Sequence, residues 1–309
     1  MKIPRQVIQS LSEWGQVREN ELLKNYTTFK TGGPADVLVA PMSNRSISHI
    51  VTIAAENQVP LTVIGGGSNL LVGDYGIEGV VLWLCENGGR KAAMSVLEDG
   101  TLYADAMTVK ENFISYAVDA GFSGVAFMAG IPGCIGGGIM MNAGTFMGTF
   151  SEIVKDVDIV DQNGDDRTVA IDRARTSYRN MNIGAGNIIT GARFVLERTD
   201  DREGELNKMR EVLADRGKKH PLDYPSAGSV FKNPDGHSSW KLINDAGLKG
   251  AAIGGASVSE LHTNFIINLN NATSQDIRDL ISKIRETVYQ KFGIELETEV
   301  KMMGAFERP

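Results

Sequence analysis

Hydrophobic residues recur with helical spacing in several parts of the chain. Between residues 43 and 57 the apolar side chains follow an i, i+3, i+4, i+7, i+8 pattern, which predicts a helix with one buried face. Similar patterns predict helices over residues 205–216 and 275–292, and Gly293 ends the second. Thr108 and Glu111 have the spacing of a capping box, which predicts that another helix begins there and ends at Gly121.

Short apolar and β-branched runs between these helices predict strands. The predicted strands cover residues 61–64, 79–84, 153–160, 188–196 and 264–268. Their alternation with helices predicts mixed α/β units. The charged stretch over residues 197–205 is interpreted as a linker, which places a domain boundary near residue 200.

One long segment, residues 120–151, contains no charged side chain. Its length suits a membrane span, but nine glycines and Pro132 would leave a spanning helix weakly specified, and no cluster of basic residues flanks it. The segment is therefore predicted to form buried turns that lie against a large, mostly apolar ligand.

The overall charge excludes several classes of partner. The chain has 31 basic and 38 acidic residues, a formal charge of −7, which argues against sequence-independent binding to nucleic acid or to an anionic membrane. Its two cysteines offer no disulfide framework, and the four histidines lack metal-ligand spacing. The first residues lack a signal-peptide core. We expect a cytoplasmic protein without a metal site and without membrane insertion.

Glycine is the residue type in excess, at 35 of 309, and nine of these glycines lie in two clusters. The first, over residues 64–70, follows a predicted strand, so its backbone N–H groups can converge on an anion. It is not a Rossmann fingerprint, because Leu70 stands where the third glycine belongs. The second cluster covers residues 129–138 and continues to 142–144. Together they suit a dinucleotide, and the alternative is a pair of tight packing turns.

A third stretch, residues 225–234, places hydroxyl, ammonium and amide groups within ten positions. It lacks the Gly-x-Ser-x-Gly elbow, so serine-hydrolase chemistry is not indicated. Motifs at residues 25–35, 65–70, 129–144, 226–234 and 296–300 occur together, in this order. In that order and spacing the chain resembles the UDP-N-acetylenolpyruvoylglucosamine reductase family, from about residue 20 to residue 304.

The resemblance implies an α+β and α/β protein. Residues 1–200 would form a two-subdomain FAD-binding fold of the vanillyl-alcohol-oxidase type, divided at about residue 90. Residues 201–309 would form a substrate-binding α+β domain, with residues 297–309 returning to the flavin site. The implied activity is the NADPH-dependent reduction of UDP-N-acetylglucosamine enolpyruvate to UDP-N-acetylmuramate in peptidoglycan synthesis, with non-covalent FAD as cofactor and NADPH as co-substrate. Only 49 residues separate Arg179 from Ser229, as in the shorter class that lacks a tyrosine-bearing loop.

The resemblance also implies the site residues. Ser229 matches the proton donor, Arg179 the catalytic arginine and Glu299 the catalytic glutamate. The implied substrate-binding residues are Lys232, Asn233, Arg216, Lys218 and Lys219, although a solvated helix end explains the last three equally well. The implied cofactor-binding residues are Tyr26, Ile64, Gly65, Gly66, Gly67, Ser68, Asn69, Leu70, Gly130, Ile131, Pro132, Gly133, Gly136, Gly137, Asn142, Ala143 and Gly144.

Two positions depart from the family pattern. Met181 stands where a serine is usual, two residues after the arginine, and Lys301 stands where an arginine usually follows Glu-Val. Two other functions remain open on the sequence alone. One is a flavin enzyme of the same cofactor fold that acts on another substrate, and the other is a catalytically silent UDP-sugar sensor.

Overall fold

The structure is a computed structural model that describes residues 3–85 and 92–308. The described residues form eight α-helices: α1 (Arg5–Ser12), α2 (Asn44–Glu56), α3 (Lys110–Asp119), α4 (Ile135–Met140), α5 (Phe150–Ile153), α6 (Arg202–Lys219), α7 (Ser239–Asp245) and α8 (Ser274–Phe292).

They also form sixteen strands: β1 (Gly15–Leu22), β2 (Pro34–Pro41), β3 (Leu61–Ile64), β4 (Leu70–Val72), β5 (Ile77–Trp83), β6 (Met94–Val96), β7 (Leu102–Asp105), β8 (Gly144–Thr145), β9 (Gly148–Thr149), β10 (Val154–Val160), β11 (Asp166–Ala170), β12 (Ile188–Phe194), β13 (Ala252–Ile253), β14 (Ala256–Val258), β15 (Ile266–Asn268) and β16 (Lys301–Met303).

The chain divides into two compact units, each assembled from several segments. Unit 1 comprises Met1–Glu19, Val37–Gly66 and Gly79–Asp215. Unit 2 comprises Asn20–Asp36, Gly67–Glu78 and Arg216–Pro309. The sequence-based boundary near residue 200 stays a prediction.

The described part of unit 1 contains two larger sheets, the two-stranded sheet β8-β9 and two hydrophobic clusters. A four-stranded sheet in the order β1-β2-β5-β3 lies mostly within it, and Ile47, Ile50 and Val51 on α2 belong to the cluster shared with β2 and β5. The second sheet has the order β11-β10-β12-β7-β6, and each of its strand pairs is antiparallel. Phe113 on α3 and Phe194 on β12 are fully buried in its cluster.

Unit 2 is built around the long helix α8. The buried face of α8 shares a cluster with the antiparallel sheet β13-β14-β15 and with α7. Strands β4 and β16 pair in parallel, with Leu71 opposite Met302. Thr273 and Asp276 form a capping box at the start of α8, and Gly293 ends it with φ at 69°.

Helix predictions over residues 43–57 and 275–292 are confirmed, as are the five predicted strands apart from their end residues. The helix predicted at 205–216 is longer, since Arg202 to Glu205 already form its first turn. Asp201 explains this, because its carboxylate accepts the N–H of Gly204 at 2.9 Å and so caps the helix. The prediction that residues 202–205 belong to a linker is therefore wrong, because they are helical.

The capping box predicted at Thr108 is also wrong. Helix α3 has Val109 as its N-cap, with no side-chain cap, and Thr108 Oγ1 is buried without a hydrogen-bond partner among the described residues. Tertiary pairing fixes this start: the carbonyl of Thr108 accepts the N–H of Ile135 at 2.8 Å. The uncharged segment forms turns and short elements, and no helix in the described part of the chain is long and apolar enough to span a membrane.

Candidate active site

In unit 1, residues 64–66 of the first glycine cluster lie against the second glycine cluster. A methyl group added at Gly66 would come within 2.6 Å of the Gly133 Cα, closer than carbon atoms can approach. Gly130 and Gly133 have φ of 72° and 98°, in the region that side chains disfavour. Glycine is required here by the close approach and by the backbone conformation. The result is a half-buried stretch of backbone without side chains at Gly66, Gly130 and Gly133.

Lys110, at the start of helix α3, donates two hydrogen bonds to the second glycine cluster. The backbone N–H of Lys110 donates to the Gly133 carbonyl at 3.1 Å, and the Lys110 ammonium donates to the Pro132 carbonyl at 2.7 Å. Gly136 continues this contact, because its N–H donates to the Ala106 carbonyl at 2.7 Å. The second glycine cluster is thus positioned by contacts within unit 1.

Arg179 lies at the tip of a tight turn in unit 1. Ser177 and Asn180 exchange two backbone hydrogen bonds, of 2.9 and 3.0 Å, and Arg179 takes a left-handed φ of 60°. That conformation is strained for a residue with a side chain. The guanidinium lies over the Tyr178 ring at 4.6 Å from its centroid. The turn therefore holds Arg179 in a defined but unusual conformation.

Asn142 and Met181 anchor this turn from two sides. The Asn142 amide donates to the Ser177 carbonyl at 3.1 Å and accepts the N–H of Ser151 at 3.0 Å. The Met181 side chain is 2% exposed and belongs to the hydrophobic cluster around the five-stranded sheet. Burial of an apolar side chain therefore anchors the turn at the position where the family usually has a serine.

Unit 2 brings Ser229 and Glu299 onto neighbouring extended segments. The N–H of Glu299 donates to the Val230 carbonyl at 2.7 Å, and Phe231 pairs with Thr298. Asn264 fixes the other edge of the Phe231 segment. Its side chain accepts the N–H of Phe231 at 3.0 Å and donates to the Phe231 carbonyl at 2.8 Å. Ser229 and Glu299 are both half-buried.

Lys232 and Asn233 have structural partners in the same unit. The Lys232 ammonium forms an ion pair with Glu297, which is exposed, and this contact lowers the pKa of the Glu297 carboxyl. The Asn233 side chain accepts the N–H of Ser239 at 3.0 Å, at the first turn of α7. The ion pair thus holds the Lys232 side chain next to the Ser229 segment, whereas the Asn233 side chain already fixes the start of α7.

The basic residues at the end of α6 differ from one another. Lys218 and Lys219 are exposed, whereas the Arg216 guanidinium is partly buried. Its Nε is buried without a hydrogen-bond partner among the described residues, and loss of hydration lowers its pKa. Of these three basic residues, Arg216 is therefore the one whose buried Nε–H, within the described part of the chain, is an unsatisfied donor for an anion.

The first glycine cluster continues into unit 2, where it meets Tyr26 and the Glu299 segment. Gly67 has φ of 62°, and a methyl group there would lie 1.9 Å from the Tyr26 carbonyl oxygen. The Tyr26 hydroxyl donates to Glu21 at 2.9 Å. The Asn69 amide donates to the Glu299 carbonyl at 3.1 Å, and the Asn69 carbonyl accepts the N–H of Lys301. The Asn69 side chain and backbone thus connect the first glycine cluster to the segment that carries Glu299.

The predicted cofactor residues therefore divide between the units: Ile64 to Gly66, Gly130 to Gly137 and Asn142 to Gly144 in unit 1, and Tyr26 and Gly67 to Leu70 in unit 2. Their chemistry fits FAD, because bare glycine backbone suits a pyrophosphate and a planar ring. Ser229 and Glu299 lie in unit 2 and Arg179 in unit 1, so the structure pairs two of the three predicted catalytic residues.

Sequence reasoning missed Lys110 and Glu297. Lys110 is 2% exposed and shares a buried face of α3 with Phe113, Ile114 and Ala117. Its position in that i, i+3, i+4, i+7 pattern was a signal that a charged side chain is buried. Glu297 had no such signal, because its role comes from a partner 65 residues away.

Comparison with known proteins gives the family. The model of the UDP-N-acetylenolpyruvoylglucosamine reductase C-terminal domain matches residues 220–303, and an FAD-binding-domain model matches residues 35–169. The chain is 38% identical over 298 residues to the UDP-N-acetylenolpyruvoylglucosamine reductase of Clostridium novyi, covering 96% of this chain and 95% of that one. It is 42% identical over 291 residues to the Listeria innocua enzyme of the same name, covering 93% and 95%.

A solved structure agrees with these relatives over nearly the whole chain. The crystal structure of UDP-N-acetylenolpyruvylglucosamine reductase from Thermus caldophilus has a TM-score of 0.78 and 31% sequence identity. The match covers 94% of this chain and 99% of that one. The predicted fold class, an FAD-binding region followed by a second α+β domain, is confirmed.

Proposed function

The chain belongs to the UDP-N-acetylenolpyruvoylglucosamine reductase family, and on that premise we propose that it reduces UDP-N-acetylglucosamine enolpyruvate to UDP-N-acetylmuramate in peptidoglycan synthesis. NADPH is the electron donor and FAD the cofactor, and the reaction takes place in the cytoplasm. The observation that supports this most directly is the paired segment that carries Ser229 and Glu299, because a reductase of an enol ether needs an acid beside a charge-stabilising group.

FAD, when bound, supplies hydride transfer from NADPH to the terminal carbon of the enolpyruvyl group. That carbon belongs to an enol ether conjugated to a carboxylate, so negative charge develops at the adjacent carbon and spreads into the carboxylate. The protein must stabilise this charge and then deliver a proton to the adjacent carbon.

Ser229 is the proposed proton donor. A serine hydroxyl is a weak acid, but the carbon that it protonates is strongly basic, and a nearby cation stabilises the alkoxide left behind. Lys232, which forms an ion pair with Glu297, provides that cation. Glu299 hydrogen-bonds an enolic oxygen or positions a water molecule for this step.

Arg179 is the proposed partner of the substrate carboxylate. A guanidinium presents paired N–H donors that match a carboxylate, and such donors strengthen as negative charge grows on the oxygen atoms. The strained turn at residues 177–180 holds the Arg179 backbone fixed, which limits the reorganisation needed during the reaction.

Arg216 is the proposed contact for the substrate diphosphate. Its partly buried guanidinium gains more from an anion than the exposed Lys218 and Lys219 do. We expect Arg216→Met to raise KM for the UDP-linked substrate by about 10- to 100-fold, the usual effect of losing a charged hydrogen bond. Lys218→Met, the matched control, should change KM less than about threefold. Equal effects of both substitutions in steady-state assays would contradict this assignment.

The proposed function is tested by the colour of the flavin under anaerobic conditions. NADPH should bleach the yellow purified protein, and UDP-N-acetylglucosamine enolpyruvate should then restore the colour. Bleaching without recovery would instead indicate a flavin enzyme with another substrate. Protein that stays colourless after FAD is added back would favour a UDP-sugar sensor.

A further inference from the structure

Lys110 is a buried cation next to the second glycine cluster. Its side chain is 2% exposed, although it sits in the first turn of α3, where a neighbouring residue, Glu111, is in solvent. Burying an ammonium group is costly unless it is hydrogen-bonded. The Pro132 carbonyl, at 2.7 Å, is the bond that offsets this cost.

Lys110 controls the orientation of two consecutive peptide groups. Its ammonium binds the carbonyl of Pro132 and its backbone N–H binds the carbonyl of Gly133, so both carbonyls point toward α3. In a trans peptide the C=O and N–H bonds point in opposite directions. The N–H groups of Gly133 and Cys134 are therefore directed away from Lys110. The Cys134 nitrogen would lie 3.4 Å from a Cβ on Gly66, so this side faces the first glycine cluster.

The surroundings of Lys110 are shaped to accept its side chain. A methyl group at Gly138 would come within 2.8 Å of Lys110 Cε and 2.7 Å of the Phe150 ring, so the missing Cβ leaves room for the lysine. Burial lowers the pKa of Lys110 to about 8, because lost hydration outweighs the attraction of Cys134, Glu111 and Cys85.

We propose that Lys110 is a positioning residue for FAD, which turns the Pro132–Gly133 and Gly133–Cys134 peptides so that their N–H groups, and not their carbonyl oxygens, face the cofactor. The inference rests on the proposed function in one respect, the assignment of residues 130–137 to FAD. Without the ammonium, the Pro132 carbonyl is free to rotate, and its oxygen would repel an anionic ligand.

The test compares FAD affinity with stability in Lys110→Met, which keeps the length of the side chain but not its donor. FAD is titrated into apo-protein and the dissociation constant is read from quenching of flavin fluorescence, while circular dichroism gives the melting temperature without FAD. We expect FAD to bind about 10- to 100-fold more weakly. The melting temperature should be unchanged or higher, since a buried charge has been replaced by an apolar group. Lys155→Met, on the surface of the same unit, is the control and should change neither value.

A lower melting temperature with unchanged FAD affinity would mean that Lys110 is merely structural and would overturn the proposal. If Lys110→Met does not fold, Lys110→Gln replaces it, because glutamine keeps a neutral donor. This variant should weaken FAD binding about 3- to 10-fold, and unchanged affinity would overturn the proposal.

The Gly137→Leu variant tests the assignment of residues 130–137 to FAD independently of the role of Lys110. A Cβ at Gly137 meets no atom within 4 Å. Weaker FAD binding by Gly137→Leu together with normal binding by Lys110→Met would refute only the role of Lys110. Normal binding by Gly137→Leu would refute the assignment itself.

Discussion

Two regions of the molecule are built on opposite principles: the paired glycines Gly66 and Gly133 in unit 1, and the Ser229 segment in unit 2. At Gly66 and Gly133 the backbone itself is the proposed binding surface, and a single added carbon would clash at 2.6 Å. Around Ser229 the backbone is paired with a neighbouring segment, and Ser229, Lys232 and Glu299 are the side chains to which we assign the chemistry in our proposal. Substitutions that add side-chain atoms should therefore impair the first region, and substitutions that remove side-chain atoms should impair the second.

The largest effect should come from removing one oxygen atom in unit 2. Ser229→Ala should leave the bleaching of the flavin by NADPH near the wild-type rate, because no group of that step is altered. Reoxidation by the substrate should slow by about 10²- to 10⁴-fold, the usual contribution of a positioned acid. Stopped-flow absorbance resolves the two half-reactions, and Ser282→Ala, on the exposed face of α8, is the control. A slowing of less than about tenfold would leave Ser229 without a catalytic role.

Met181→Ala tests how the Arg179 turn is anchored in unit 1. Truncating this buried side chain should lower the free energy of unfolding by about 2–5 kcal/mol, the range for large-to-small core substitutions. Met42→Ala, at an exposed methionine of the same unit, should cost less than about 0.5 kcal/mol. Urea unfolding measures both. Equal costs would show that Met181 contributes nothing to the stability of the turn.

The pH dependence of stability tests the buried Lys110. Its pKa is lowered to about 8 in the folded protein but is near 10.5 when the chain unfolds. Above pH about 8 the unfolded chain therefore binds more protons, and the folded state gains stability as pH rises. Relative to Lys110→Met, the wild type should gain about 2 kcal/mol in free energy of unfolding between pH about 8 and about 9.5. A constant difference across this range would show that Lys110 is not a desolvated cation.

The smallest change adds one methyl group to each of two helical glycines. Gly137 and Gly217 both have open space at the Cβ position, so alanine at either should raise the stability of the FAD-free protein by about 0.5–1 kcal/mol. FAD affinity should fall only in Gly137→Ala. Fluorescence titration and thermal unfolding of the two variants give both values. Equal FAD affinity in the two variants would remove Gly137 from the cofactor site.

Local sequence signals predicted the elements whose ends are fixed locally. Helix α8 begins at a capping box and ends at Gly293, and both features act within one helical turn. The prediction at Thr108 failed because the start of α3 is fixed by pairing with Ile135, which is distant in sequence. Local capping patterns in the sequence cannot reveal that a tertiary hydrogen bond fixes the start of α3 instead.

The same distinction between local sequence signals and tertiary contacts applies to the candidate site. The glycine clusters and the resemblance predict the cofactor segments, and an FAD-binding-domain model matches residues 35–169, which contain all of these segments except Tyr26. The ion pair of Lys232 with Glu297 and the contact of Lys110 with Pro132 depend on tertiary placement. Residue roles at Ser229, Arg179 and Glu299 stay predictions until the variants are measured.

The most direct test of the proposed reaction is the stoichiometry of the complete turnover. Purified protein with FAD, NADPH and UDP-N-acetylglucosamine enolpyruvate under anaerobic conditions should consume one NADPH for each substrate molecule. Mass spectrometry should find a product heavier than the substrate by two hydrogen atoms, as expected for UDP-N-acetylmuramate. Unchanged substrate with oxidised NADPH, or no consumption of NADPH by FAD-loaded protein, would contradict the proposed function.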